Sequence, residues 1–342
     1  MKIKFLTLLK YFFFLALGIF FVWLSVRNIS GEDWQQIKDA IDRGRKWVIL
    51  PVILVLLLAH YSRAIRWKLL MEPLGYNPSM FNVFSSVMIG YLVNAGAPRL
   101  GEVFKCTILA RYEKVKADKL VGTILIERAV DLVCLFVVFL LAIIFQGEVF
   151  GQYMKKMLID FFHDKTGNLS ITKLIVWSGA FILLLLVFYF ILKRFGHIDI
   201  VAKIKTVIKN IIHGLSSIKN LEHKGLFIFH SFLIWLLYFA ASTLGLYALR
   251  ETQVLGLAGG LTTLAVGTIG MILTPNGIGA YPLLIAQLLG LYGLSVKTTG
   301  TASGWLMWSA QTFIVLIGGL ICFILISRFN KKRKPLETDQ GT

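Results

Sequence analysis

Apolar and polar positions alternate along this chain in long blocks, and the block lengths predict its architecture. Long, predominantly apolar runs occupy 5–26, 47–67, 120–145, 172–193, 225–248 and 298–326. Each reaches or exceeds the ~20 residues a helix needs to cross a hydrocarbon core of ~30 Å. Two further apolar regions are broken. One runs 79–110 and is interrupted at Ala97, Pro98, Arg99, Leu100, Gly101 and Glu102; the other runs 254–292 and is interrupted at Thr274, Pro275, Asn276, Gly277, Ile278 and Gly279. After Pro98 only about 13 residues precede the charged stretch that opens at Arg111, or ~20 Å of helix, too short to cross. Region 79–110 therefore reads as a hairpin that enters and returns on one side, whereas 254–274 is long enough to span alone. The prediction is an all-α polytopic membrane protein of about six full spans plus two broken hairpins, forming a single integral membrane domain over 1–342.

The segments repeat. Starts at 5, 47, 79 and 120 are answered by starts at 172, 225, 254 and 298. Three crossings per half is an odd number, so the halves 5–145 and 172–326 are expected as an inverted repeat, the plan of secondary transporters whose sites lie at broken helices. Lys and Arg favour one set of loops two to one, which orients both termini to the cytoplasm of a bacterial-type plasma (inner) membrane. Phe5–Val26 follows Lys2 and Lys4, yet it is too long for a signal peptide core and no small-residue cleavage site follows, so it reads as a retained span. In 198–220, Val201, Ile204, Ile208, Ile211, Leu215 and Ile218 step by three and four. They predict a basic amphipathic helix lying on the cytoplasmic leaflet or on the protein's own loops. Trp34, Ile37 and Ile41 suggest a shorter interfacial helix in 31–46, and 335–342 reads as a disordered polar tail.

Composition agrees with a membrane solvent. The chain has 342 residues, is 57% hydrophobic and only 16% charged, and has a mean hydropathy of +0.74; soluble domains carry about 25% charged residues. The net charge of +18 would suit nucleic acid, but the basic residues sit in short loops between apolar segments, so topology explains them. Cys106, Cys134 and Cys322 lie in apolar stretches without paired spacing, which implies neither a disulfide nor a zinc site. His60 and His230 lack ligand spacing, and no phosphate-binding glycine loop is readable, so no metal, cofactor or nucleotide is expected.

Charges at membrane depth are the informative residues, because each costs roughly 2.5–3.5 kcal/mol to insert. Arg99, Glu102 and Lys105 form one group at the first break; Glu127, Arg128 and Asp131 form another inside span 120–145. Glu127 and Asp131 are four apart and share a helix face. Such charges must pair with one another as a packing network or line a wet cavity for a charged headgroup. Arg99 favours the cavity, since its planar fork suits phosphate oxygens. Pro98 is placed to open the returning half-helix, with Gly101 behind it and that helix's free N–H groups beside Arg99. In the second break Thr274 is a candidate cap and Pro275 a candidate first helical residue. Asn276, Gly277 and Gly279 follow, the glycines allowing close approach, with Pro282 as a competing start. Arg63, Arg66 and Lys68 close span 47–67 at the interface, as anchors or as gating residues. Gly256 and Gly260 form a GxxxG for helix packing.

At Pro98-Arg99-Leu100-Gly101-Glu102, then Glu127-Arg128-Ala129-Val130-Asp131-Leu132, then Pro275-Asn276-Gly277-Ile278-Gly279, the chain resembles the flippase-like membrane domain of lysylphosphatidylglycerol synthases and its stand-alone relatives. The resemblance covers about 5–326. It implies a lipid-translocating domain for phospholipids or aminoacylated phospholipids, with Arg99, Glu102, Glu127, Arg128 and Asp131 as the motif residues carried over. Many members have an acidic residue shortly after the last glycine motif, where this chain has Tyr281 and Pro282, which puts an acidic role for the second hairpin in doubt. A full synthase adds a soluble aminoacyl-transfer domain, for which about 16 residues after the last span leave no room. A non-enzymatic lipid flippase is therefore expected, with membrane lipids as partners, along with a lipid synthase or a second copy of the chain. A scaffold for a separate lipid or glycolipid synthase, and an intramembrane lipid-modifying enzyme, are the alternatives.

Overall fold

A computed structural model describes residues 5–162 and 221–333, with isolated positions at 171 and 179. The described residues are all helical. In chain order the helices are α1 (Phe5–Val26), α2 (Gly31–Asp42), α3 (Ile49–Leu69), α4 (Met80–Gly96), α5 (Leu100–Glu113), α6 (Ala117–Phe162), α7 (Lys224–Tyr247), α8 (Gly256–Leu273), α9 (Ala280–Leu291), α10 (Thr301–Phe313) and α11 (Gly319–Arg333). Five stretches are long and apolar enough to cross a membrane: Lys46–Leu74, Ala117–Val149, Lys224–Tyr247, Gln253–Leu273 and Val296–Lys331. Four of them coincide with expected spans, and the expected span 5–26 is one 22-residue helix. The expected span 172–193, the basic helix 198–220 and the tail 335–342 lie outside the described residues. The fifth long stretch is the first arm of the second hairpin, so among the described residues there are five long apolar helices with shorter apolar ones beside them. Met80–Gly96 and Ala280–Leu291 are the shorter kind; at 1.5 Å per residue they reach ~26 and ~18 Å.

Polar contacts gather the helix ends into two groups. At the first end, His223 meets Glu72 at 3.0 Å, joining the end of α3 to the start of α7. Asn82 and Asn330 exchange amide hydrogen bonds of 3.0 and 2.8 Å between the start of α4 and α11. At the second end, the Arg45 N–H donates to the Ala248 carbonyl at 2.7 Å, Arg43 pairs with Glu251 at 3.8 Å, and α2 packs on the π-turn Val296–Gly300. Ser30 caps α2 through a reciprocal box with Asp33, and the hydrogen bonds that the Ser30 N–H and hydroxyl donate to the Asp33 carboxylate hold its pKa below the usual range. Ile37 and Ala40 are buried on one side of α2, which gives the amphipathic helix expected in 31–46 its inward face.

The two hairpins enter from opposite ends. The feet of α4 and α5 meet at the first end, where Glu113 accepts from the Ser79 N–H at 3.0 Å. The feet of α8 and α9 are tied at the second, where the Thr262 and Tyr292 hydroxyls lie 2.9 Å apart. In the first hairpin the arms nearly touch: a Cβ on Gly101 would sit 1.8 Å from the Gly90 carbonyl oxygen. In the second, Gly260 lies against Thr243 of α7, while Gly256 starts α8 at φ +54° and meets nothing, so only one glycine of the GxxxG pair packs. The turn of the second hairpin packs on α4, and Gly279 presses against Phe21 and Val22 of α1. The long helices pack reciprocally: α3 against α7, α4 against α11, and α8 against α6.

Candidate functional site

Five ionisable side chains converge where the last turns of α3 meet α5 and α6. Arg63 and Arg66 are three apart on α3, and Glu127 and Asp131 are four apart on α6, so each pair occupies one helix face. The Asp131 carboxylate is forked between them: Arg63 Nη1 donates to Oδ2 at 2.8 Å and Arg66 Nη2 lies 2.8 Å from Oδ1. Glu127 takes Lys105 Nζ of α5 at 2.6 Å and faces Arg66 at 3.7 Å. Arg66 is fully buried, and Glu127 is 3% exposed. The Lys105 ammonium also stands 4.3 Å over the Trp67 ring, whose indole N–H donates to Thr123 at 2.8 Å. Arg63 reaches the Tyr238 hydroxyl of α7 at 3.5 Å. Arg63 Nε and Arg66 Nε and Nη1 are buried without a hydrogen-bond partner among the described residues.

A cleft of about 340 Å³, counted to its open mouth, adjoins this group. Its lining includes Arg63, Tyr91, Asn94, Glu102, Lys105 and Glu127, and it is narrow in this conformation. At the mouth Arg128 pairs with Glu102, with Nε donating to Oε1 at 2.8 Å; the Arg128 side chain is half exposed. The hairpin that forms one wall is held by Asn94, whose Oδ1 accepts from the Gly101 N–H at 2.8 Å in the first turn of α5.

Several predicted site residues stand elsewhere. Arg99 is exposed at the hairpin turn, in the left-handed region at φ 67°, as the residue preceding α5. It does not line the cleft. Pro98 stands one residue outside the helix start rather than at its first position, because Arg99 takes the sharp turn. Pro275 does open a short 3-10 turn, but α9 begins at Ala280 with Pro282 inside its first turn. Thr274 stands at the cap position of that turn but makes no side-chain capping bond; its hydroxyl donates to the Ile278 carbonyl at 3.0 Å. Asn276, at φ 51°, donates to the Thr312 hydroxyl at 2.9 Å and accepts from the Trp308 indole at 2.8 Å. Gly277 and Gly279 have positive φ in the same turn. The second break is thus packed into protein rather than brought to the charged cleft.

Of the predicted residues, Glu102, Lys105, Glu127, Arg128 and Asp131 come together, with Gly101 in the cleft wall. Arg63 and Arg66, read from sequence as interface or gating residues, form the centre of the group. Their three-residue spacing, matched to an acidic pair four apart on another helix, was the available signal. Tyr91, Asn94 and Tyr238 carried none. Among the described residues, metal-ligand types converge at Glu72, Glu222 and His223, where the His223–Glu72 contact already joins two helices.

Buried charge between a short helical hairpin and long apolar helices defines a polytopic membrane protein with an intramembrane polar site. The lysylphosphatidylglycerol synthase TM region family matches the chain over residues 11–322, and the chain belongs to that family. It is also similar to a UPF0104 membrane protein of Methanocaldococcus jannaschii, 29% identical over 164 residues, which are 47% of this chain and 47% of the relative. The match thus spans about half the length of that relative. No solved structure matches the chain.

Proposed function

We propose that the protein is a non-enzymatic carrier that moves a lipid with an anionic headgroup across the bilayer, and that the phosphate docks at Arg63 and Lys105, which line the cleft. One observation carries this reading. The buried group holds three cations, Arg63, Arg66 and Lys105, against two carboxylates, Glu127 and Asp131. It therefore has one positive charge in excess, and buried charge without a counterion is expensive. A monoanionic phosphodiester entering the adjoining cleft as it opens supplies that counterion, with Arg63 and Lys105 on the cleft wall as the charged donors. The phosphate site thus moves from the expected Arg99 and Arg128 to α3 and α5. Arg128 and Glu102 act as a displaceable cover, since an exposed ion pair contributes only about 0–1 kcal/mol.

The reciprocal packing supports an inverted repeat. Exchanging α3 with α7, α4 with α8, and α6 with α10–α11 maps the observed α4–α11 contact onto the observed α8–α6 contact. Hairpins entering from opposite ends fit the same relation, and the two-to-one basic bias puts the first end in the cytoplasm.

The reading is tested by scrambling of fluorescent phosphatidylglycerol in proteoliposomes with a membrane-impermeant quencher. Wild type is expected to move the lipid, and Arg63→Ala and Lys105→Ala, folded by size-exclusion profile, to lose the movement. Wild-type protein that moves no anionic lipid would overturn the reading and leave the charges as a packing network beside a partner synthase.

A further inference from the structure

A second pocket, of about 320 Å³ counted to its mouth, lies between α3, α7 and α10. Its polar lining is Tyr238, Ser242 and Gln311, and its apolar lining includes Val52, Leu56 and Ala241. Tyr238 belongs to both places: its hydroxyl is within 3.5 Å of Arg63 and its side chain walls this pocket. Leu56 and Val52 precede Arg63 on α3 by seven and eleven residues, or ~10 and ~16 Å along the axis toward the second end. The charged cleft and this pocket are therefore strung along one helix in the direction of crossing, with Tyr238 between them. Gln311 hydrogen-bonds the Tyr281 hydroxyl of the second hairpin, and a π-turn, Ile314–Gly318, follows it within one turn of helix. Such turns break a regular ladder and often mark functional positions.

We propose that this pocket is a second headgroup station, where a phosphodiester leaving the charged cleft is held by the neutral donors Tyr238, Ser242 and Gln311. The proposal rests on the carrier reading above and adds where the headgroup goes next. The chemistry suits passage. A site that binds an anion with a buried net positive charge releases it slowly, whereas hydroxyl and amide donors satisfy phosphate oxygens without a charge to hold them. Conduction needs binding strong enough to enter and weak enough to leave. The pocket in this conformation is narrow, so occupancy requires α7 and α10 to part, and Tyr238 is the side chain that transfers its hydroxyl from Arg63 to the passing phosphate.

The test uses the full chain and separates binding from movement. Binding of dihexanoyl phosphatidylglycerol is measured by calorimetry in detergent, and scrambling of fluorescent phosphatidylglycerol in proteoliposomes. Gln311→Leu removes a donor, and Ala241→Val fills the pocket while leaving every donor in place. Both are expected to bind like wild type and to scramble about tenfold slower or worse, Gln311→Leu through the loss of one donor to a charged group and Ala241→Val through the space its side chain takes. Scrambling at the wild-type rate by both variants, while Arg63→Ala is inactive, overturns the second station and leaves the carrier reading intact. Wild type that neither binds nor moves the lipid overturns both. A third variant guards against misfolding: Ser242→Cys, in a version with Cys106, Cys134 and Cys322 replaced by Ala, is expected to react with a small anionic thiol reagent. No reaction in folded protein overturns the proposal.

Discussion

Replacing Asp131 by Asn probes the charged group most directly. The Asp131 carboxylate receives both arginines, at 2.8 Å from Arg63 and 2.8 Å from Arg66, and its side chain is 13% exposed. Asn is nearly isosteric, so the packing is kept and the charge alone is removed. What remains is Arg63, Arg66 and Lys105 against Glu127, an excess of two positive charges in a buried site. Breaking one buried ion pair by deleting a partner costs about 3–5 kcal/mol, and here two arginines lose the same acceptor while Glu127 is already engaged by Lys105 at 2.6 Å. The upper half of that range is therefore expected. The Glu102→Gln variant is the internal comparison: its partner Arg128 is half exposed, so the loss should stay within about 1 kcal/mol. The assay is the monodisperse fraction after heating in mild detergent, wild type against both variants. The double variant Asp131→Asn with Arg66→Gln restores the excess to one charge and should recover at least half of the lost stability. An Asp131→Asn protein as stable as Glu102→Gln, or a double variant no better than the single, would refute the electrostatic account of this site.

Three further outcomes follow from other parts of the bundle. Gly101→Ala places a methyl 1.8 Å from the Gly90 carbonyl oxygen and 2.7 Å from the Asn94 side chain; it should cost at least the ~1–3 kcal/mol of overpacking and lower the yield of monodisperse protein well below that of Gly122→Ala, whose Cβ meets nothing. Asn330→Leu leaves the Asn82 amide, fully buried, short of the partner that both donated to it and accepted from it, and should cost about 1–3 kcal/mol, read as a lower melting temperature. His223 gains its proton more readily than usual, first through its hydrogen bond to Glu72 and then through the charges of Glu72 and Glu222. A raised folded-state pKa gives stability that is full below the free value of about 6.5 and fades as pH rises through the folded value. The stability gap between wild type and His223→Gln should therefore be wider at about pH 6 than at about pH 8, and a gap independent of pH would exclude the ion pair as its source.

Most of the architecture was legible because the bilayer makes it so: a run such as 225–248 has to be a helix of the length seen in Lys224–Tyr247. The first hairpin was legible from arithmetic alone, since a 14-residue α5 cannot cross. The second was ambiguous for the same reason, because Gln253–Leu273 is long enough to cross and only its contacts show it paired with α9. At the site, residues on one helix were readable as a face, as Glu127 and Asp131 were. The approach of α3 was not, because spacing within a helix says nothing about which neighbour it meets. Arg99 misled because a cation beside a helix-breaking Pro looks like an anion site, whereas its left-handed backbone as the residue before α5 leaves it exposed at the turn.

The position of the charges relative to the hairpin says why the first break exists at all. A continuous α4 would carry Lys105 past the bundle in the same direction as the helix before it. Reversing the chain at Arg99 instead brings Lys105 back alongside Gly90 and into contact with Glu127 on α6. The close approach that allows this requires glycine at Gly101, and the Asn94 side chain satisfies the N–H that the reversal frees. On the carrier reading, the hairpin that walls the cleft is the element that shifts when a headgroup replaces the Arg128–Glu102 cover. Loss of the Asn94 hydrogen bond should then act on movement more than on binding. Asn94→Leu is expected to bind dihexanoyl phosphatidylglycerol while scrambling at a changed rate, and equal loss of both would place Asn94 with the phosphate instead of with the hinge.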